Sequence, residues 1–184
     1  VEEAAESFNL VGRVRETDGD YLLVVDTNFS GAKTNIWVTY KADTKIEISG
    51  DGTVTKTVTL TYSNPQAKAV KITQARNLNG LFRDWLRVYV PKGSELLEAK
   101  GFESGQTTGE DLGKTVFEGF FTLAPGNTRQ ISFKYKLPAK MKSSYQLLIQ
   151  KQGGAKIFPY TISVNGKTKP EILLSQDTQV QYPF

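Results

Sequence analysis

The chain has 184 residues and a formal net charge of +4, with 39% hydrophobic and 23% charged residues, the balance of one ordinary globular domain. It contains no cysteine and no histidine. Disulfides, thiolate nucleophiles, Ser-His-Asp and Cys-His catalysis and histidine-ligated zinc hydrolysis are thereby excluded.

No apolar run reaches the roughly 18 residues that a membrane span needs. The chain begins at Val1 without a methionine or a signal peptide, which reads as a processed or excised piece. Residues 1–30 carry seven acids against Arg13 and Arg15, a net of −5, which leaves +9 for the remainder. "VEEAAESF" predicts two helical turns with acids near the positive end of the helix dipole. "GRVRETDGDYLLVV" then predicts a hairpin turning at "ETDGDY". Residues 1–30 are therefore expected to form an acidic N-terminal arm, or the last elements of an upstream domain. Residues 31–184 are expected to form the main domain.

From there the period-2 alternation of half-buried strands recurs. The predicted strands are "NIWVTYK", "TKIEIS", "TVTKTVTLTY", "WLRVYVP", "TVFEGFFTL", "RQISFKYKL", "YQLLIQKQ", "PYTISVNG" and "TQVQYPF". Asp51-Gly52 and Asn165-Gly166 suit tight hairpins, and Pro125-Gly126 suits a type II turn. Residues 64–86 do not alternate and read as a loop with a helical turn near "LFRDW". Residues 101–113, rich in glycine and polar groups, read as a second long loop. About ten short strands without helices predict an all-β fold, an antiparallel β-sandwich of immunoglobulin-like type with an N-terminal hairpin extension. A closed barrel is the alternative. Val58, Leu60, Val88, Ile131, Phe133, Ile149 and Ile162 fall on the expected buried faces.

Motif-like stretches carry little chemistry. "GEDLGKT" has three residues between Gly109 and Gly113 where a phosphate loop needs four, and its acids would repel phosphate. Asp18, Asp20, Asp26 and Asn28 offer oxygens suited to calcium but do not continue into a full loop motif. "NFS" at 28–30 matches a glycosylation acceptor pattern. No metal or cofactor is expected. The face Thr53, Thr55, Thr57, Thr59 and Thr61 is that of a solvated strand. Lys56 shares the opposite face with Val54, Val58 and Leu60, where an unpaired charge is costly. It is expected to snorkel to water or to reach a carboxylate as an ordinary amine. An isopeptide cross-link to Asn165 or Asp177, assisted by Glu118, is the sharper alternative.

From Gly119 to Pro170 there is no acid, and nine basic residues. Arg129, Lys134, Lys136, Lys140, Lys142 and Lys151 are the candidate polyanion-binding surface, on the premise that "YQLLIQKQ" pairs back on "RQISFKYKL". Specific nucleic-acid binding is not expected, because arginine is scarce there and the aromatics sit in the apolar register. Trp37 and Trp85 are the candidate glycan-contact aromatics.

"GDYLLVVDTNFSGAKTN", "LRVYVPKGSELLEAKGF", "LGKTVFEGFFTLAPGNTRQISFKYKLP" and "YQLLIQKQGG", in this order, resemble the C-terminal portion of an uncharacterised bacterial family, domain of unknown function four thousand and twelve. The resemblance runs from about Gly19 to Gly166. It implies a β-rich tail behind a large extracytoplasmic domain and an N-terminal membrane anchor, both outside this chain, and it brings no catalytic residues. The expected function is a non-catalytic module of an envelope-anchored bacterial protein, acting as spacer, packing partner or adhesive surface. The alternative is a binding module for an envelope glycan or an anionic wall polymer.

Overall fold

A strand with one apolar face has to cover that face, and here two sheets do it for each other. The computed structural model describes residues 12–31, 33–65, 71–73, 76–77 and 79–183. Its strands are β1 (Asp20–Asn28), β2 (Thr39–Ile48), β3 (Val54–Ser63), β4 (Lys71–Thr73), β5 (Arg76–Asn77), β6 (Phe82–Pro91), β7 (Glu95–Lys100) and β8 (Ser104–Asp111). They continue with β9 (Lys114–Leu123), β10 (Thr128–Lys136), β11 (Ser144–Gln150), β12 (Phe158–Val164), β13 (Lys167–Thr168), β14 (Ile172–Leu174) and β15 (Thr178–Pro183). A single 3-10 turn, Thr34–Ile36, is the helical element among the described residues.

The first sheet runs β15-β11-β1-β6-β9-β8 and the second β13-β12-β2-β3-β10-β7, with β14 also on β12. β4 and β5 form a separate ribbon. The fold is thus an all-β sandwich. All seven expected core residues are buried, and the larger apolar cluster draws on both sheets.

The expectation of purely antiparallel sheets needs correcting. β1 pairs with β11, and β2 with β12, in parallel. A parallel pair needs a crossover, and here the chain makes it by passing through the opposite sheet, so no helix is required. Because β11 lies in the first sheet, between β1 and β15, it does not pair back on β10.

The expected arm is also redrawn. β1, from within residues 1–30, is a central strand of the first sheet between β11 and β6. Residues 12–17 form no strand, so the hairpin is not made. They lie instead over the outer face of that sheet. The Arg15 amide donates to Gln150 Oε1 at 3.0 Å, and Gln150 Nε2 donates to the Arg13 carbonyl. Val14 packs there on Tyr21, Leu23, Tyr89 and Val116. The predicted N-terminal helix falls outside the described residues.

Both predicted long loops contain strands. Residues 82–91 form β6, which alternates through Phe82, Asp84, Leu86 and Val88; the inward Asp84 broke the apolar row. Residues 104–111 form the edge strand β8, exposed almost throughout, so no apolar face could betray it. The turns behave as read: Gly52 and Gly126 have positive φ, and Asn165-Gly166 are both left-handed, as a type I′ hairpin requires. "GEDLGKT" closes the β8–β9 hairpin through left-handed Leu112 and Gly113.

Candidate functional site

Two polar clusters interrupt the apolar layer between the sheets. The first is built on Lys56. Although Lys56 is only the third residue of β3, it is wholly buried, so the side chain cannot snorkel. Its Nζ lies 2.6 Å from Oδ2 of Asp20, which is equally buried on β1. The Tyr145 hydroxyl donates to the same oxygen, and the Tyr21 amide donates to Asp20 Oδ1 at 2.7 Å. The Tyr135 ring lies 5.8 Å from the ammonium. Burial lowers the lysine pKa, and the Asp20 charge opposes that effect. This cluster ties β1 to β3 across the sandwich and is closed to solvent, so its part is structural.

The partners that the alternative cross-link would need are all elsewhere. Asn165 Oδ1 accepts from the Ile48 amide in the β12–β13 turn. Asp177 pairs with Arg15 at 2.8 Å. Glu118 faces outward, accepting from Trp85 Nε1 and Arg87 Nε. The calcium candidates are likewise parted, with Asp20 on Lys56 and Asp26 in the second cluster.

The second cluster sits at the far end of β1. Alternation along β1 turns Asp26 inward, in the same row as Leu22 and Val24, and β6 brings Asp84 inward as a diagonal neighbour. Tyr62 on β3 donates its hydroxyl to Asp26 Oδ1 at 2.6 Å. Asp84 is fully buried and neither of its oxygens receives a hydrogen bond; the Thr27 amide lies near without bonding geometry. Burial without a partner favours the neutral form of Asp84. Burial, then the Asp26 charge, push the Asp84 pKa up to about 9. Burial also raises Asp26, to about 6, with the hydrogen bonds from Tyr62 and Asp84 pulling it back. At neutral pH the pair holds one proton and one negative charge.

Asp26 opens into a cavity of about 520 Å³ at this end of the sandwich. β2 and β3 supply Tyr40 and Tyr62, β12 supplies Phe158, and the segment 152–157 forms the opposite rim. Tyr40 packs between two rings, its centroid 5.0 Å from Tyr62 and 4.3 Å from Phe158. Asn28, Asn35 and Gln152 add polar groups. Gln152 clamps the rim to β1: its Oε1 accepts from the Asp26 amide and its Nε2 donates to the Asp26 carbonyl. Lys156 also lines the space, but its ammonium donates to the carbonyls of Ile36 and Val38, the latter at 3.0 Å. The outer lip is apolar and exposed, with Ile36 at 56% and Ile157 at 57%.

The residues chosen from sequence are only partly brought together. Lys134 and Lys136 do share one face of β10, and Lys140 lies at the same strand end. Yet Lys134 stands opposite Glu98, Lys136 opposite Glu95, and Lys140 pairs with Asp51 at 2.5 Å. Lys142 is exposed. Arg129 lies in the opposite row of β10, with Ile131 and Phe133, and pairs with Glu103 while donating to the Gly101 carbonyl. Lys151, on the other sheet's side, donates to the Ala155 carbonyl at 2.5 Å. The continuous basic band therefore dissolves, because β11 went to the other sheet and edge strand β7 brought acids.

Trp37 is half-buried between Ile36 and Val38, which line the cavity. Trp85 is half-buried on the outer face of the first sheet, against Gly105. The two form no common platform. Sequence reading missed Tyr40, Tyr62, Asp84 and Gln152. The available signal was an acid at an inward position of two strands, Asp26 after "YLLVV" and Asp84 within "LFRDWLRV".

No protein-family model matches the chain, and no curated protein matches it. Among solved structures, the chain is similar to a protein from Legionella pneumophila described as a "putative nutrient binding protein", at a TM-score of 0.49 and 10% identity, over 80% of this chain and 55% of that one. An M1 zinc metallopeptidase from Deinococcus radiodurans gives 0.34 at 15% identity, over 68% of this chain and 30% of that one. The chain thus spans about half the length of the first and about a third of the second. Likeness of this degree carries no functional argument.

Proposed function

We propose that this chain is a non-catalytic binding module of an envelope-anchored bacterial protein, and that the cavity at the end of the sandwich holds one residue of an envelope glycan. The observation that carries the reading is the cavity's make-up. Its volume of about 520 Å³ is that of a small-ligand site, with aromatic walls and a few converging polar groups. A sugar ring offers an apolar face to the Tyr40, Tyr62 and Phe158 side and a rim of hydroxyls to Asp26, Asn28, Asn35 and Gln152. The extracytoplasmic setting, the membrane anchor and an upstream domain as partner rest on the family resemblance. We also propose the immunoglobulin-like type for the sandwich, because the chain weaves repeatedly between the two sheets.

A second reading, the spacer or packing module, draws on the exposed apolar lip. Phe29 at 64% exposure extends the patch of Ile36 and Ile157, and a neighbouring domain could cover it. The two readings separate in a nitrogen-15 NMR titration with solubilised envelope glycan fragments. A binding module shows saturable shifts confined to Asp26, Tyr40, Tyr62 and residues 152–158, abolished in Tyr40→Ala with the fold intact. A spacer shows none at millimolar fragment.

A further inference from the structure

The cavity holds a negative charge with no cation to answer it. Asp26 accepts from Tyr62 and is backed by Asp84, and among the described residues no lysine or arginine pairs with it. The lysine that lines the wall, Lys156, is engaged with two backbone carbonyls. Tyr40 and Tyr62 line the cavity beside Asp26, and as neutral aromatic side chains they bring no positive charge to compete with a ligand cation. Asp26 is half-buried next to aromatic walls, so it is less well solvated than a surface carboxylate, and a ligand cation that reaches it gains a charge-assisted hydrogen bond.

We propose that the cavity selects a sugar residue bearing a free, protonated amino group, with Asp26 accepting from the ammonium and the Tyr40 and Tyr62 rings flanking it. This rests on the glycan reading of the same cavity and names the kind of sugar it takes. N-acetylation removes the positive charge and adds bulk, so an acetylated sugar loses the Asp26 contact.

The groups facing Asp26 set how the preference depends on pH. Tyr40 and Tyr62, from the second sheet, have pKa values raised well above 10 by burial and stay neutral. Asp84, from β6, keeps its proton up to about pH 9. Lys156, from the rim, has a pKa lowered by burial. Asp26 is thus the group that changes charge on acidification, near pH 6.

The test is NMR titration of the intact chain with glucosamine, N-acetylglucosamine and glucose at pH 7, repeated at about pH 5 and with Asp26→Asn. The proposal expects glucosamine to bind about tenfold or more tightly than glucose at pH 7. It expects that advantage to collapse at about pH 5 and in Asp26→Asn, where glucosamine and glucose then bind alike. Equal affinity for all three sugars overturns the inference and leaves the glycan reading standing. No binding of any sugar overturns both. Calcium chloride competing with glucosamine for the Asp26 and Asp84 resonances overturns the amine as the ligand, because the charge would then belong to a metal ion.

Discussion

Removing Lys56 should be strongly destabilising. Lys56→Met takes away the cation and leaves Asp20 wholly buried beside Tyr145 without its counter-charge. Breaking a buried ion pair from one side costs about 3–5 kcal/mol. For a chain of 184 residues each kcal/mol moves Tm by about 2–4 °C, so a fall of about 6–20 °C is expected. Asp20→Asn strands the other charge and should cost a similar amount, with a distinct pH signature. The folded-state pKa of Lys56 is already lowered by burial, and loss of the Asp20 charge lowers it further. The folded protein then binds fewer protons than the unfolded chain over that window, so Asp20→Asn should regain stability as pH rises. The double variant removes both charges and keeps an acceptor for Tyr145. It should recover about 2 kcal/mol or more relative to the sum of the single losses, a coupling that urea unfolding of the four proteins measures. Single losses below about 1 kcal/mol with no coupling would refute the reasoning, since they would mean that water reaches the pair.

Intact mass spectrometry should return the unmodified mass: Lys56 is held by an ion pair, and a deficit of one water or one ammonia would reveal a cross-link instead. Asp84→Asn should stabilise the protein at pH 8. The carboxyl keeps its proton when folded to about pH 9 but loses it near pH 4 when unfolded, so wild-type stability falls as pH rises between them, by at most about 1.4 kcal/mol per unit. Urea unfolding at pH 6, 7 and 8 checks this, and an unchanged slope in Asp84→Asn would refute it. Gly101→Ala should lower Tm, because φ is +90° and a Cβ would stand 2.0 Å from the Gln130 carbonyl oxygen, which belongs to a paired strand and cannot give way. On a polyanionic resin, Arg129→Gln should leave low-salt retention unchanged while Lys134→Gln with Lys136→Gln reduces it, since Arg129 is spent on Glu103; equal effects would restore the single basic band.

The class of fold and most of the core are legible in the local pattern of residues. Alternation assigns each strand its inward row, and Val58, Leu60, Ile131, Phe133 and Ile162 follow from it. The turns at Gly52, Gly126 and Asn165-Gly166 were equally readable, because positive φ limits which residues can serve. Tertiary structure decided what one strand cannot say about another. "ELLEAK" favours a helix by composition, yet it pairs along β10 as an edge strand. "SGQTTGED" has no apolar face because it is exposed on both sides. The partner of Lys56 lies 36 residues away in the opposite sheet, and Asp20 looked like a turn acid until β1 was seated at the sheet centre. The cavity arose the same way, since Asp26, Tyr40, Tyr62 and Phe158 come from four strands that meet only when both sheets close. Side-chain direction along a strand is a local property of the backbone, whereas strand order and sheet membership are set by long-range pairing, and the candidate site depends on the second.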